Sequence, residues 1–532
     1  MMIGRYGELP LDPRVAEGWD LRLLVEGTRL VGANGLRVGA DNQLYVAQAF
    51  GGQISAVSLD GEASRVVSPA DGAILAPDDL AFDSQGNLFV TEVMNARVSA
   101  LRPNGDVDVI AENVPVANGV VVHNDRIFIS EFNPKGRILE LFPNGEPPRV
   151  IASNLMMPNA LSVGPDDYLY FPLVPLGEIW RVAISGGSAQ KVAEGFNIPT
   201  AVKFSPGGTL TVVESGTGAV IGLDVESGQK TNLGQVAFGI DNLAYTDDGR
   251  LFVSHFTNGS ITELTSAKKS RAVVDGGMLG PFGLAANAAG QLVIADGMSM
   301  ATLTAQGLLR RPAHLLEHGF PGYVRGVAVD QSGNNIFTNS AGGIARYAPG
   351  GEAEVLADGF DRLMGICVAG NRHIFAAEYG AGAIVELTPS GDAHRLGGLK
   401  KPCGVCIDSA GDLYVSDEGD GSVKRLCNGS FETIASGLSR PQGIAISAGK
   451  LFVLDRGIHS LIGIDPAGGQ QEIVASNLPV GLSGGLRANT LPGIADLMPG
   501  PLLPFSDIAV LPSGTICVGG DENGSVIALS KI

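Results

Sequence analysis

Apolar and polar residues alternate with period two along most of the chain, in short runs separated by Gly, Asn and Asp. Pro441 to Gly469 shows the unit. GIAIS is followed by KLFVLD after a Ser-Ala-Gly turn, and by HSLIGID after a Gly turn. An amphipathic helix would place apolar residues at i, i+3, i+4 and i+7, whereas period two reads as β-strand. The pattern recurs as PDDLAFDSQGNLFVTEVMNARVSALRPNG from Pro77, PTAVKFSPGGTLTVVESGTGAVIGLDVESG from Pro199 and PCGVCIDSAGDLYVSDEGDGSVKRLCNG from Pro402. Aligning on the residue after the leading Pro, or its stand-in, gives Asn34, Asp78, Asn118, Asn159, Thr200, Asp241, Phe282, Arg325, Met364, Cys403, Gln442 and Ser506. These are twelve copies, spaced 39 to 44 residues apart except for a last spacing of 64. Each copy adds a fourth run, such as RVIASNL at Arg149 or ETIASGL at Glu432. Four short strands in about forty residues make a β-propeller blade.

Twelve blades exceed the usual size of one ring, so the pattern predicts an all-β chain of two tandem six-bladed propellers. LRLLVEG, Leu21 to Gly27, resembles a fourth strand with no blade before it, and the twelfth copy ends on a third strand, SVIALSKI. SRAVVDGG, from Ser270, is another fourth-type strand. We therefore expect residues 1–268 and 269–532 to form one ring each, both closed by an N-terminal outer strand, because an open edge invites aggregation. The boundary is expected near Ala267 to Lys269. Two stretches break the period. Pro172 and Pro175 interrupt FPLVPLGEIW, where proline cannot donate to a ladder. Residues 474–505, rich in Leu, Pro and Gly, form an insertion before the last blade and read as a lid or lining loop.

With 75 Gly and 30 Pro in 532 residues, the composition suits many turns. A net charge of −19 argues against a general grip on nucleic acid or an anionic membrane. No run reaches the ~20 apolar residues of a membrane span, and the first residues lack a signal-peptide core. A soluble, cytoplasmic protein is expected, acting on a small-molecule substrate. Five cysteines, an odd number without a signal peptide, argue against a disulfide framework. Cys403 and Cys406 lack a second pair for zinc and read as buried thiols.

First strands line a propeller channel, and antiparallel pairing sets the start of each beside the end of the second strand. In the first six copies the aligned residues and the second-strand exits Gln48, Glu92, Glu131, Leu173, Glu214 and His255 together supply five carboxylates, three Asn and one His. Crowded carboxylates raise one another's pKa unless a cation neutralises them. Carboxylate and amide oxygens are the donor set of Ca²⁺ or Mg²⁺. His255 is the one group there whose ordinary pKa suits proton transfer near neutrality, with Glu214, Glu131 and Glu92 as further candidate acid–base groups. Asn34, Gln48 and, in the second half, Arg325 read as substrate-binding groups. The second-half exits are Asp296, Asn339, Glu378, Asp417, Asp455 and Gly520, facing a mostly apolar set of aligned residues.

These repeats resemble the six-bladed NHL, virginiamycin B lyase and senescence-marker/gluconolactonase propellers. PNALSVGPDDYLYF, Pro158 to Phe171, is similar to the gluconolactonase-type PNG…D…LY segment. That resemblance implies a divalent metal held at the channel-strand starts, which here are Asp78, Asn118, Asn159 and Asp241, with an acid as base. The family's N-terminal E-G-P is replaced by ANG at Asn34. The lyases place His and Glu at the same two positions, and here only His255 matches, at a strand exit. The expected function is a metal-dependent hydrolase of a lactone or ester, or a lyase, the alternative being a non-catalytic propeller that presents a ring face to a partner.

Overall fold

The computed structural model describes residues 12–67, 72–266, 269–304, 307–315, 318–481 and 505–532, and the backbone of Gly493–Ile494 and Met498–Pro499. Twelve antiparallel sheets of four strands follow one another, one of them extended to five by Arg14–Val15. Each sheet is a meander whose first strand begins at the aligned residue or within two positions of it, for example Pro77–Phe82, Ala117–His123 and Ile240–Tyr245. Among the described residues no helix is long and apolar enough to cross a membrane. Most of the insertion at 474–505 lies outside the described residues.

The chain divides into two compact units, residues 29–276 and residues 1–28 with 277–532, each of six blades. This corrects the expected boundary and closure. The strand Trp19–Val25 does not join the first ring; it pairs with Ser525–Lys531, with Leu21 opposite Leu529, and completes the last blade of the second. Lys269–Val274 does not open the second ring; it is the fourth strand of blade six in the first, with Glu263 opposite Arg271. The reason is loop closure. Only two residues separate Ile261–Ser266 from Lys269–Val274, so the local hairpin costs little entropy. Arg271 and Arg250 then clamp the two oxygens of Glu263 at 2.7 Å. The first ring is thus complete within 29–276, inserted between the N-terminal strand and the remainder of the second ring.

Adjacent blades bury their alternating apolar faces against each other. Ala81, Phe89 and Val98 of blade two meet Val120, Ile127 and Leu139 of blade three. The first ring closes where Leu36, Leu44 and Val46 meet Ala244, Phe252 and Ile261. The second closes where Leu284, Leu292 and Ile294 meet Ala509, Cys517 and Val526.

A hydroxyl stitch joins blades near the channel. Thr91, Ser130, Ser254, Thr338 and Ser416 each precede a second-strand exit. Each accepts the backbone N–H of the residue after the aligned position on its own blade: Asp79, Gly119, Asn242, Gly326 and Gly404. Each donates to the aligned residue's carbonyl on the next blade: Asn118, Asn159, Asn34, Met364 and Gln442. Ser254 thereby links blade six to blade one, at 2.5 Å from the Asn34 carbonyl. Ser254→Ala would orphan a buried donor and a buried acceptor. We expect it to lower unfolding free energy by about 1–3 kcal/mol, read as a reduced denaturation midpoint at unchanged slope. An unchanged midpoint would show the stitch to be inessential.

Candidate functional site

The aligned residue sits in a bulge. In blade two Pro77 pairs with Glu92 and Leu80 with Val90, so Asp78 and Asp79 together oppose Thr91. The same shift recurs in blades three, five and six of the first ring. A bulge bends the strand and re-aims its side chains. The residue after the aligned position then packs against the neighbouring blade, and it is often glycine. A Cβ at Gly283 would lie 2.2 Å from the Arg325 carbonyl, and one at Gly404 2.3 Å from that of Gln442. Where this position carries a polar side chain, as at Asp79 and Asn242, that side chain reaches into the channel.

Asp79 holds together four blades of the first ring. Its Oδ1 accepts from Asn242 Nδ2 at 3.1 Å. Its Oδ2 accepts from the Val120 N–H at 3.0 Å and from Arg37 at 3.3 Å. Arg37 also donates to the Val120 carbonyl at 2.8 Å. Lys203, on the first strand of blade five, lies near this group. Burial first, and then the positive charge of Arg37, push its ammonium well below the ordinary lysine range, with Asp79 opposing. Asp79, Asn242, Arg37 and Lys203 were missed in the sequence. The available signal was a charged residue on an innermost strand, in PDD, LRV and PTAVKF.

Asp78 is buried beside them, and Asn34 Nδ2 approaches its Oδ1 at 3.5 Å. Burial first, and then Asp79, push its carboxyl up to about 8. Burial, then Asp78 and Asp79, push the Asp241 carboxyl well above the carboxylate range. Neither Asp78 nor Asp241 makes an ion pair among the described residues. Asn118 is buried, and its Oδ1 finds no hydrogen-bond donor among them. Asn159 is buried, with Oδ1 accepting the N–H of Ala160 at 2.7 Å. Asn34 Oδ1 accepts the Ala49 N–H at 3.2 Å. The structure therefore brings Asp78, Asp241 and Asn34 together, and sets Asn118 and Asn159 at the equivalent position of the two blades that follow Asp78.

The second-strand exits have a different job from the one expected of them. Each pairs with the residue before the aligned one, but its side chain turns to the third strand and to the loop leading into the first. Glu92 accepts from the Leu75 N–H, Arg97 and Ser99. Glu131 is held by Arg137. Glu214 accepts from the Asn197 N–H and Thr217. Gln48 accepts the Val31 N–H and donates to Ser55. His255 is buried with Nε2 3.4 Å from Thr262 on the third strand. The second ring repeats this: Asp296, Glu378, Asp417 and Asp455 accept the loop N–H groups of Gly280, Asp361, Lys400 and Ser439. A buried carboxylate saturated by arginine and backbone donors anchors a loop, and it has no lone pair left for substrate.

The second ring's channel is apolar. Phe282, Met364, Cys403 and Phe505 form one buried cluster. Arg325 is buried, donates to the Leu363 carbonyl at 2.6 Å, and is lowered by burial to about 10. The five cysteines are free thiols, and burial pushes Cys367 up to about 12. Among the described residues no cluster of three or more His, Cys, Asp or Glu is placed to hold a metal. The first-ring mouth offers two carboxylates, with amides for the rest of its donors.

No protein-family model matches the chain, and no curated protein matches it. Solved structures do. The virginiamycin B lyase of Staphylococcus aureus is 16% identical over 60% of this chain and 96% of that one, with a TM-score of 0.33. A protein provisionally described as a gluconolactonase is 17% identical over 47% and 87%, TM-score 0.35. PorZ, a surface component of the type-IX secretion system of Porphyromonas gingivalis, is 10% identical over 96% and 86%, TM-score 0.35. At these identities the likeness is one of fold alone.

Proposed function

We propose that the mouth of the first ring is a divalent-cation site, for Ca²⁺ or Mg²⁺, and that it serves a metal-dependent enzyme acting on a small molecule. The reaction class is hydrolysis of a lactone or ester, or a lyase elimination. One observation carries this reading. Asp78 and Asp241, at equivalent positions of one channel, push each other's carboxyls up and have no cationic partner among the described residues. A buried carboxylate pair of this kind is neutralised by protons or by a cation. The buried, undonated Asn118 Oδ1 favours the cation, since an amide oxygen gains nothing from protonated neighbours further along the ring. Asp78, Asn118, Asn159 and Asp241 give the hard oxygen set that suits Ca²⁺ or Mg²⁺.

A cation there would supply a Lewis acid for a carbonyl group. The protein's own contribution is orientation and water exclusion. Asn34 lies beside Asp78 and is placed to orient a substrate at the mouth. Arg37 and Asn242 hold Asp79 still beneath it. Because Glu92, Glu131, Glu214 and His255 are bound up in loop anchoring, proton transfer at the mouth falls to its aspartates. That same engagement of the exits favours the second reading, a propeller that binds a small ligand without turnover.

Thermal unfolding with added Ca²⁺ or Mg²⁺ near pH 8 tests the cation site. At about a hundred times its Kd, one cation should raise the first ring's Tm by roughly 5 °C or more. Asp241→Asn should abolish the shift. Turnover of lactones and aryl esters, with and without chelator, separates the two readings. Cation binding with no turnover favours the second, and a shift retained by both Asp78→Asn and Asp241→Asn overturns the site.

A further inference from the structure

Arg37 and Lys203 are the two Lys or Arg residues on the described first strands of the first ring. They differ in how they are used. The Arg37 guanidinium is engaged by Asp79 and by the carbonyls of Leu36 and Val120. The Lys203 Nζ forms no hydrogen bond or ion pair among the described residues. Its nearest acid, Asp79, already takes donors from Arg37, Asn242 and Val120. Lys203 is nevertheless only half-buried, so solvent and small solutes reach it. The groups acting on it are Arg37 and Asp79, with Asp78 and Asp241 around the mouth above Asp79.

We infer that Lys203 is a reactive amine of the first-ring channel, able to condense with a small uncharged aldehyde entering from the mouth. A primary amine attacks a carbonyl only when it is unprotonated, and a lysine kept from water beside another cation meets that condition near neutrality. The nitrogen lone pair forms the C–N bond, and the carbonyl π pair moves to oxygen. The two amine protons leave with that oxygen as water, giving an imine with no change of oxidation state. The aldehyde is uncharged because Asp78, Asp79 and Asp241 crowd the approach and oppose an anion. This inference stands apart from the cation site and holds whether or not a metal binds.

The test is reductive trapping. The full chain is treated with limiting propanal and sodium cyanoborohydride near neutral pH, with chelator present, then digested and mapped by mass spectrometry. Exposed Lys135, in the same ring, is the internal reference. Lys203 should acquire the propyl group at least about tenfold faster than Lys135, since each unit of lowered pKa gives about tenfold more free amine below both pKa values. Its rate should level off at a lower pH than that of Lys135. Lys203→Met should lose this adduct alone at unchanged Tm. Equal or slower labelling of Lys203 in the wild-type chain, whether from protonation or from blocked access, would overturn the inference, and it is decisive even if the variant fails to fold.

Discussion

Deletion of residues 1–25 is expected to abolish the cooperative unfolding transition of the second ring and leave that of the first intact. Trp19–Val25 is the outermost strand of the second ring's last blade. Trp19, Leu21 and Leu23 pack on the cluster of Phe452, Leu454, Ile516, Val518 and Leu529. Trp19 meets the Phe452 ring edge-on, with centroids 5.9 Å apart. Three half-buried side chains contribute about 1 kcal/mol each, and a ladder of backbone bonds adds a similar total. The sum is on the order of 5 kcal/mol, comparable to the whole stability of a domain. The deletion also bares Ser525–Lys531 as an open edge. The first ring has all six of its four-stranded sheets within 29–276, so that segment alone should fold. Calorimetry of the truncated chain checks both statements. Two transitions at their original temperatures would contradict the closure described here.

The second large effect is on pH dependence. Without divalent cation, the Tm of the first ring is expected to fall as pH rises from about 5 to about 9. Asp78 and Asp241 hold their protons more tightly when folded than when unfolded, where an aspartate titrates near 4. A raised folded-state pKa gives stability that is fully present below the unfolded value. It shrinks as pH rises and is lost as pH passes the folded value, about 8 for Asp78. A divalent cation binds the ionised pair, so its stabilisation should be greatest at the alkaline end. Asp78→Asn combined with Asp241→Asn should flatten the decline. A chelated wild-type Tm that stays level or rises over this range would contradict the perturbed pair.

Much of this arrangement was legible in the sequence, because period-two alternation and glycine punctuation are local. The strands around LFVTE and IFISE fall where that pattern places them. Closure was not legible. A fourth-type strand such as SRAVVDGG satisfies either ring as sequence, and only the two-residue connection after Ile261–Ser266 settles its partner. The aligned channel residues were legible for the same local reason. The layer beneath them was not, since strict alternation cannot foresee that a bulge turns Asp79 as well as Asp78 toward the interior. The exits were near the mouth, as antiparallel pairing requires, but side-chain direction is a separate property. His255 faces Thr262, and Glu92 faces Arg97 and Ser99. His255→Gln should therefore lower the Tm of the first ring and leave cation binding unchanged. A loss of bound cation at normal Tm would return His255 to the mouth.

The central claim, an oxygen-donor cation site at the first-ring mouth, is tested most directly by stoichiometry. Elemental analysis after equilibrium dialysis against Ca²⁺ and Mg²⁺ should find one divalent ion per wild-type chain, and none in the Asp78→Asn, Asp241→Asn double variant at matched folding. No bound ion in the wild-type chain, or the same content in the double variant, would contradict it.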